Sequence, residues 1–133
     1  MNDAHQVRRA FFEQHPDPMW IFEPSTLRFL DVNEAAVLRY GWTRAEFLAM
    51  TIADIRPPED VQRLRASMQA FQVGRDEAGV WRHRLKCGAI IHVDIVAHSI
   101  EFEGRAAELV SARDVSRVIE LGARLGEANE LLR

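Results

Sequence analysis

Few residues in this sequence combine a type and a spacing that could do chemistry. His83 stands in the run Trp81–His83–Leu85, where a strand's period of two puts all three on one inward face. A buried imidazole needs a hydrogen-bond partner. A bound ligand would supply one, but a backbone carbonyl or a Glu or Asp from a helix is the commoner solution and the expected one. His92, Asp94 and His98 also share one strand face, a set that suggests a metal. From His92 to His98, however, is about 20 Å at ~3.3 Å per residue, too far for one ion. A solvated or dimer-covered face is the better reading, and no metal site is expected. Asp94 and Glu108 are the acids that a small cavity fold could use as a lone base. Neither accompanies a tyrosine pair or an oxyanion donor cluster. There is no nucleophile elbow, phosphate loop or zinc motif. Cys87 is the only cysteine, which excludes an internal disulfide and a cysteine-based zinc cluster. Catalysis by these residues is not expected.

The elements that would position these side chains read as helix, two strands, three short helices, three strands and a final helix. Asp3 can cap a first helix carrying Val7, Ala10 and Phe11 on one side, and His15–Pro16–Asp17–Pro18 ends it. Met19–Glu23 and Arg28–Val32 flank Pro24–Ser25–Thr26 as a hairpin. Asn33 opens a helix that Gly41 stops after Tyr40. Thr43 and Glu46 have the spacing of a capping box, with Trp42 and Phe47 placed as its hydrophobic staple. Pro57–Pro58–Glu59–Asp60 opens a further helix whose Val61, Leu64, Met68 and Phe71 form one inward stripe. After Gly74 the period becomes two. Trp81, His83, Leu85 and Cys87 share one strand face, Gly88–Ala89 turns the chain, and Ile91, Val93, Ile95 and Ala97 share a face of Ile90–Ile100. Glu103–Gly104 leads into a last strand, about Ala106 to Arg113, completing an antiparallel meander. Val118, Leu121, Leu125, Ala128 and Leu132 then recur at the a/d spacing of a coiled coil. A helix this short is marginal alone in water, so it needs a partner.

Bulk properties narrow the class. A chain of 133 residues suggests one domain, large enough to bury a real core. Seventeen basic against twenty acidic residues, a net charge of −3, argues against a nucleic-acid surface. No apolar run approaches the roughly 18 residues of a membrane span, and the N-terminus lacks the apolar core of a secretory signal. A cytoplasmic location is expected.

Taken in order, several short segments resemble the PAS family. Asp31–Val32–Asn33–Glu34–Ala35–Ala36 is similar to its strand-to-helix junction, and Tyr40–Gly41–Trp42–Thr43–Arg44–Ala45–Glu46–Phe47–Leu48 to its glycine, aromatic and capped-helix segment. Pro58–Glu59–Asp60 resembles its entry to the long helix. Lys86–Cys87–Gly88 resembles its hairpin, with Cys87 in place of the usual acid. Arg113–Asp114–Val115–Ser116 resembles the signature that closes the last strand, with serine for threonine. The resemblance runs from about Phe11 to Ser116. It implies an α+β fold: a five-stranded antiparallel sheet with helices over one face, an N-terminal helix (1–15), the PAS body (16–116) and the start of an exit helix (117–133).

The resemblance also implies a cavity between sheet and helices, with Phe47, Ile55, Leu64, Met68, His83, Leu85, Val93 and Ile95 as its expected lining. Heme-binding members use a histidine on the long helix, and Val61–Gln72 has none. Covalent flavin needs a cysteine on the capped helix, and Thr43–Met50 has none. Neither cofactor is expected, and which small molecule binds, if any, is left open. Signal is expected to leave at Asp114 and Ser116, either of which can cap the exit helix. Val118, Leu121, Leu125 and Leu132 are expected to pair two copies. The expected output is a histidine kinase of a two-component system, and the alternative role is a ligand-free dimerisation module.

Overall fold

A computed structural model of the chain describes residues 3–69 and 77–131. Strand β1 (Met19–Phe22) pairs with β2 (Phe29–Val32), Trp20 lying opposite Val32. β3 (Glu77–Arg84), β4 (Ile90–Phe102) and β5 (Arg105–Asp114) form the meander, and β5 closes against β1 with Val110 opposite Trp20. The result is a five-stranded antiparallel sheet of order β2-β1-β5-β4-β3. Alternation along β4 buries Ile91, Val93, Ile95 and Ala97 while Val96 and His98 face outward. β3 ends at Arg84, so the alternation does not reach Cys87; its side chain is exposed in the turn instead of sharing the face of His83.

Among the described residues five α-helices accompany the sheet: α1 (Asp3–Gln14), α2 (Glu34–Tyr40), α3 (Arg44–Leu48), α4 (Val61–Gln69) and α5 (Ser116–Leu131). Thr43 and Glu46 make the reciprocal capping box of α3, and Trp42 meets Phe47 edge-on at 5.9 Å between ring centroids. Gly41 ends α2 at φ +93°, and a Cβ there would sit 3.3 Å from Lys86 Cβ, so only glycine suits both the turn and the approach of the β3–β4 hairpin. That hairpin is tied in place, the Lys86 amide donating to Tyr40 O at 2.9 Å and the Arg84 amide to Ile55 O at 2.7 Å.

Asn33 does far more than cap α2. Its Oδ1 accepts from the amides of Ala36 and Met19, both at 2.9 Å, and its Nδ2 donates to Phe12 O and Asp17 O, both at 3.0 Å. One buried amide thus joins α1, β1 and α2. The inward stripe expected on α4 is narrower than its spacing suggests. A turn of 3-10 helix, Pro58–Asp60, precedes it; Leu64 alone is fully buried, and Val61 and Met68 lie on the flanks of the stripe. Phe71 and Leu132 fall outside the described residues, as do the side chains of Asp3 and Ala128. The core sits between the sheet and α2–α4, where Trp20, Phe29, Tyr40 and Phe47 meet at ring separations of 5.1–6.2 Å. Each such burial is worth roughly 1.5–3 kcal/mol.

Candidate functional site

Beside this core lies a cavity of about 50 Å³. Trp20, Phe22, Trp81, Ile95, Ala97, Glu108 and Val110 line it from the sheet, Leu64, Ser67 and Met68 from α4, and Ile52 and Arg56 from the connection before α4. Arg56 is only 6% exposed. Its Nη1 donates to Ile52 O at 2.6 Å, while among the described residues the buried Nε has no partner and no carboxylate pairs with the side chain. Its guanidinium lies 5.2 Å from the centre of the Trp81 ring, and that of Arg63 lies 3.9 Å from it. Burial brings the Arg56 pKa down to about 10, which leaves it charged at neutral pH.

His83 packs against the back of this wall, 5.6 Å from Trp20 between ring centroids, and its Nδ1 lies 2.6 Å from Tyr40 Oη. The expected carbonyl or carboxylate partner is therefore a tyrosine from the end of α2. Burial, and then the charge on Arg56, hold His83 well below its ordinary pKa of 6.5. Burial likewise pushes the Tyr40 phenol up. The pair is neutral, and His83 Nε2 has no partner.

At the opposite end of β5 the chain leaves the sheet. Asp114 Oδ2 pairs with Arg39 Nη2 of α2 at 2.5 Å, and Oδ1 accepts the Ser116 amide at 2.9 Å. Ser116 does not cap its own helix; its hydroxyl accepts the His92 amide of β4 at 2.8 Å, while the Val115 amide donates to His92 O. Burial pushes the Asp114 carboxyl up, but the Arg39 and Ser116 donors outweigh it and hold it below the usual range. α5 then projects with Val118 and Leu125 each 67% exposed, and Leu121 and Ile119 uncovered beside them. Val7 and Phe11 of α1 are equally exposed.

Of the expected lining, Leu64, Met68 and Ile95 border the cavity. Phe47, Ile55, Leu85 and Val93 are packed into the core, and His83 stands behind Trp20. His92, Asp94 and His98 form no cluster that could hold an ion, and Asp94 faces Arg113 at 3.8 Å. Glu108 is buried and accepts the Ser99 hydroxyl at 2.8 Å. Sequence reasoning missed Arg56 and Arg39. Arg56 sits in an irregular stretch before Pro57, where no period assigns a face. Tyr40 had a signal, since it follows Ala36 by four and shares its inward side.

A five-stranded antiparallel sheet of this order, with helices packed on it and a helix leaving its last strand, is an α+β architecture. The model of the PAS fold matches residues 6–115, and the chain belongs to the PAS family of sensory signalling domains. The methyl sulfide methyltransferase-associated sensor of Methanosarcina acetivorans is 29% identical over 119 residues, which are 87% of this chain. The chain spans only 12% of that protein's length. A domain of the sensory box sensor histidine kinase/response regulator of Geobacter sulfurreducens is 28% identical with a TM-score of 0.72, over 83% of this chain and 93% of that one. The PAS domain of an HTR-like protein from Haloarcula marismortui has a TM-score of 0.74 over 84% and 92% of the two chains. At 19% identity it speaks for the fold alone.

Proposed function

We propose that this PAS domain passes a ligand- or partner-dependent signal through α5 to an output domain, a histidine kinase of a two-component system. In this reading residues 16–116 sense, 1–15 flank them, and 117–133 begin the signalling helix. The relatives that carry "sensor" and "sensor histidine kinase" in their names support it. So does the length of the Methanosarcina protein, most of which lies outside the matched segment. No helix among the described residues is long and apolar enough to cross a membrane, and the reading places the domain in the cytoplasm.

One observation carries the proposal: α5 is held to the sheet by a small polar junction while Val118, Leu121 and Leu125 of its apolar stripe are left uncovered. A stripe at heptad spacing is satisfied by a second copy. Tightness of binding alone would move nothing; a signal must favour one pose of α5 over another. Sedimentation at tens of micromolar tests the pairing. A dimer that becomes a monomer when the chain is cut after Asp114 is expected, and a monomer in both forms contradicts it.

The cavity's size favours a second reading, a dimerisation module without a ligand. Cofactor pockets usually run to roughly 300–1,000 Å³, so a site of about 50 Å³ does not fit heme or flavin. An absorption spectrum and mass spectrum of the purified chain separate an occupied sensor from an empty module.

A further inference from the structure

A charged side chain removed from water needs a counter-charge or full hydrogen bonding. Arg56 has neither. Nη1 is used by Ile52 O, and Nε, which lies on the edge shared with Nη2, is buried without a partner among the described residues; the residue borders the cavity. That edge offers two parallel N–H groups, the geometry that grips both oxygens of one carboxylate. Most of the remaining lining is apolar, Trp20, Leu64, Met68, Ile95 and Val110 among it, with Ser67 and Glu108 its other polar residues, which suits a short hydrocarbon chain.

Size and charge narrow the class. A water needs about 10–15 Å³ measured in this way, so 50 Å³ holds on the order of four water-sized groups. Arg56 is the one cation on the described lining and Glu108 the one acid, which argues against a dianion. We infer that the cavity binds a short-chain monocarboxylic acid, its carboxylate on the Nε–Nη2 edge of Arg56 and its chain between Leu64, Met68 and Ile95. This assignment deepens the sensory reading and rests on it for its biological use. Arg56 is bound on its other side to Ile52 O and faces Trp81. Occupancy therefore pulls on the α3–α4 connection, and through Ile55 O, which accepts the Arg84 amide, on β3.

Isothermal titration calorimetry of the whole chain with sodium propionate, against sodium chloride at equal ionic strength, tests the assignment. Saturable binding is expected for propionate and none for propionamide, which has the same shape without the charge. Arg56→Gln should weaken binding by tenfold or more, the value of a lost charge-assisted pair. Met68→Trp keeps Arg56 and fills the cavity, so it should abolish binding in a protein whose circular dichroism is unchanged. Absence of propionate binding to the unaltered chain overturns the assignment, as does equal binding of propionamide or full binding by Arg56→Gln. If propionate fails to bind while Asp114→Ala still uncouples output, the ligand class falls and the sensory reading stands. If propionate binds as described without changing output, the ligand class stands and the sensory reading falls.

Discussion

Around Asp114 every carboxylate oxygen has a donor, and the Ser116 hydroxyl takes the amide of the neighbouring strand. Around Arg56, in the core, two buried nitrogens have no partner among the described residues: Arg56 Nε and His83 Nε2. Each unmet buried group costs about 1–3 kcal/mol. The junction is half-exposed, so water can replace any bond that opens there, and opening it is cheap. The interior has no such replacement, so its polar groups are either filled by something or maintained at a cost in stability. The fold thus places its expensive polar residues in the core and its inexpensive ones where the helix leaves.

Four substitutions or conditions bear on that contrast. The largest effect is expected away from both regions, at Asn33, whose loss strands two amides and two carbonyls at once. Asn33→Ala should cost about 3 kcal/mol or more and lower the melting temperature by on the order of 10 °C. A loss near that of a simple helix cap, about 1 kcal/mol, would show that its ties to α1 and β1 carry no weight.

Acid comes next. His83 is neutral in the folded domain to well below pH 6.5, whereas in the unfolded chain it titrates near 6.5. Below that value the unfolded state takes up a proton that the folded state refuses. Stability should therefore be intact above about pH 6.5 and fall with decreasing pH, by up to about 1.4 kcal/mol per unit from this group. Denaturant melts of His83→Gln, which keeps an acceptor for Tyr40, should show a flatter limb between about pH 6.5 and 5. An unchanged limb would assign the acid sensitivity to other groups.

Arg56→Met should go the other way. Replacing a buried, incompletely paired charge by an apolar side chain is neutral or stabilising, and a gain of roughly 1 kcal/mol is expected after the loss of the Trp81 contact. A loss of that size or more would show Arg56 to be a structural tie, and the contrast between interior and junction would fail.

Most of the fold was legible in the sequence because its signals are local. Period-two runs gave β3–β5, and Asn33, Gly41 and the Thr43–Glu46 pair marked helix ends that the chain adopts. The site was legible only in part. Strand parity placed His83 and Ile95 inward, but parity says nothing of which inward residues border a void and which are packed, and that divided Leu64 and Met68 from Phe47 and Ile55. Partners were the least legible. Tyr40 meets His83 across 43 residues, and Arg39 meets Asp114 across 75, distances over which no spacing rule operates. Arg56 drew no reading from the sequence because nothing periodic surrounds it.

The smallest expected effect on stability belongs to Asp114, and it carries the central claim that the junction transmits signal more than it holds the fold. Asp114→Ala removes a half-exposed ion pair and the bond to the Ser116 amide, about 1 kcal/mol together. That is small beside the roughly 5–15 kcal/mol of an ordinary domain. The decisive measurement is paired: the thermal melt of this chain, and the output activity that the proposed reading couples to α5, each with and without Asp114→Ala. A melt lowered by a few degrees together with an output that no longer responds is the predicted result. A domain that unfolds outright, or an output left unchanged beside an intact melt, would contradict it.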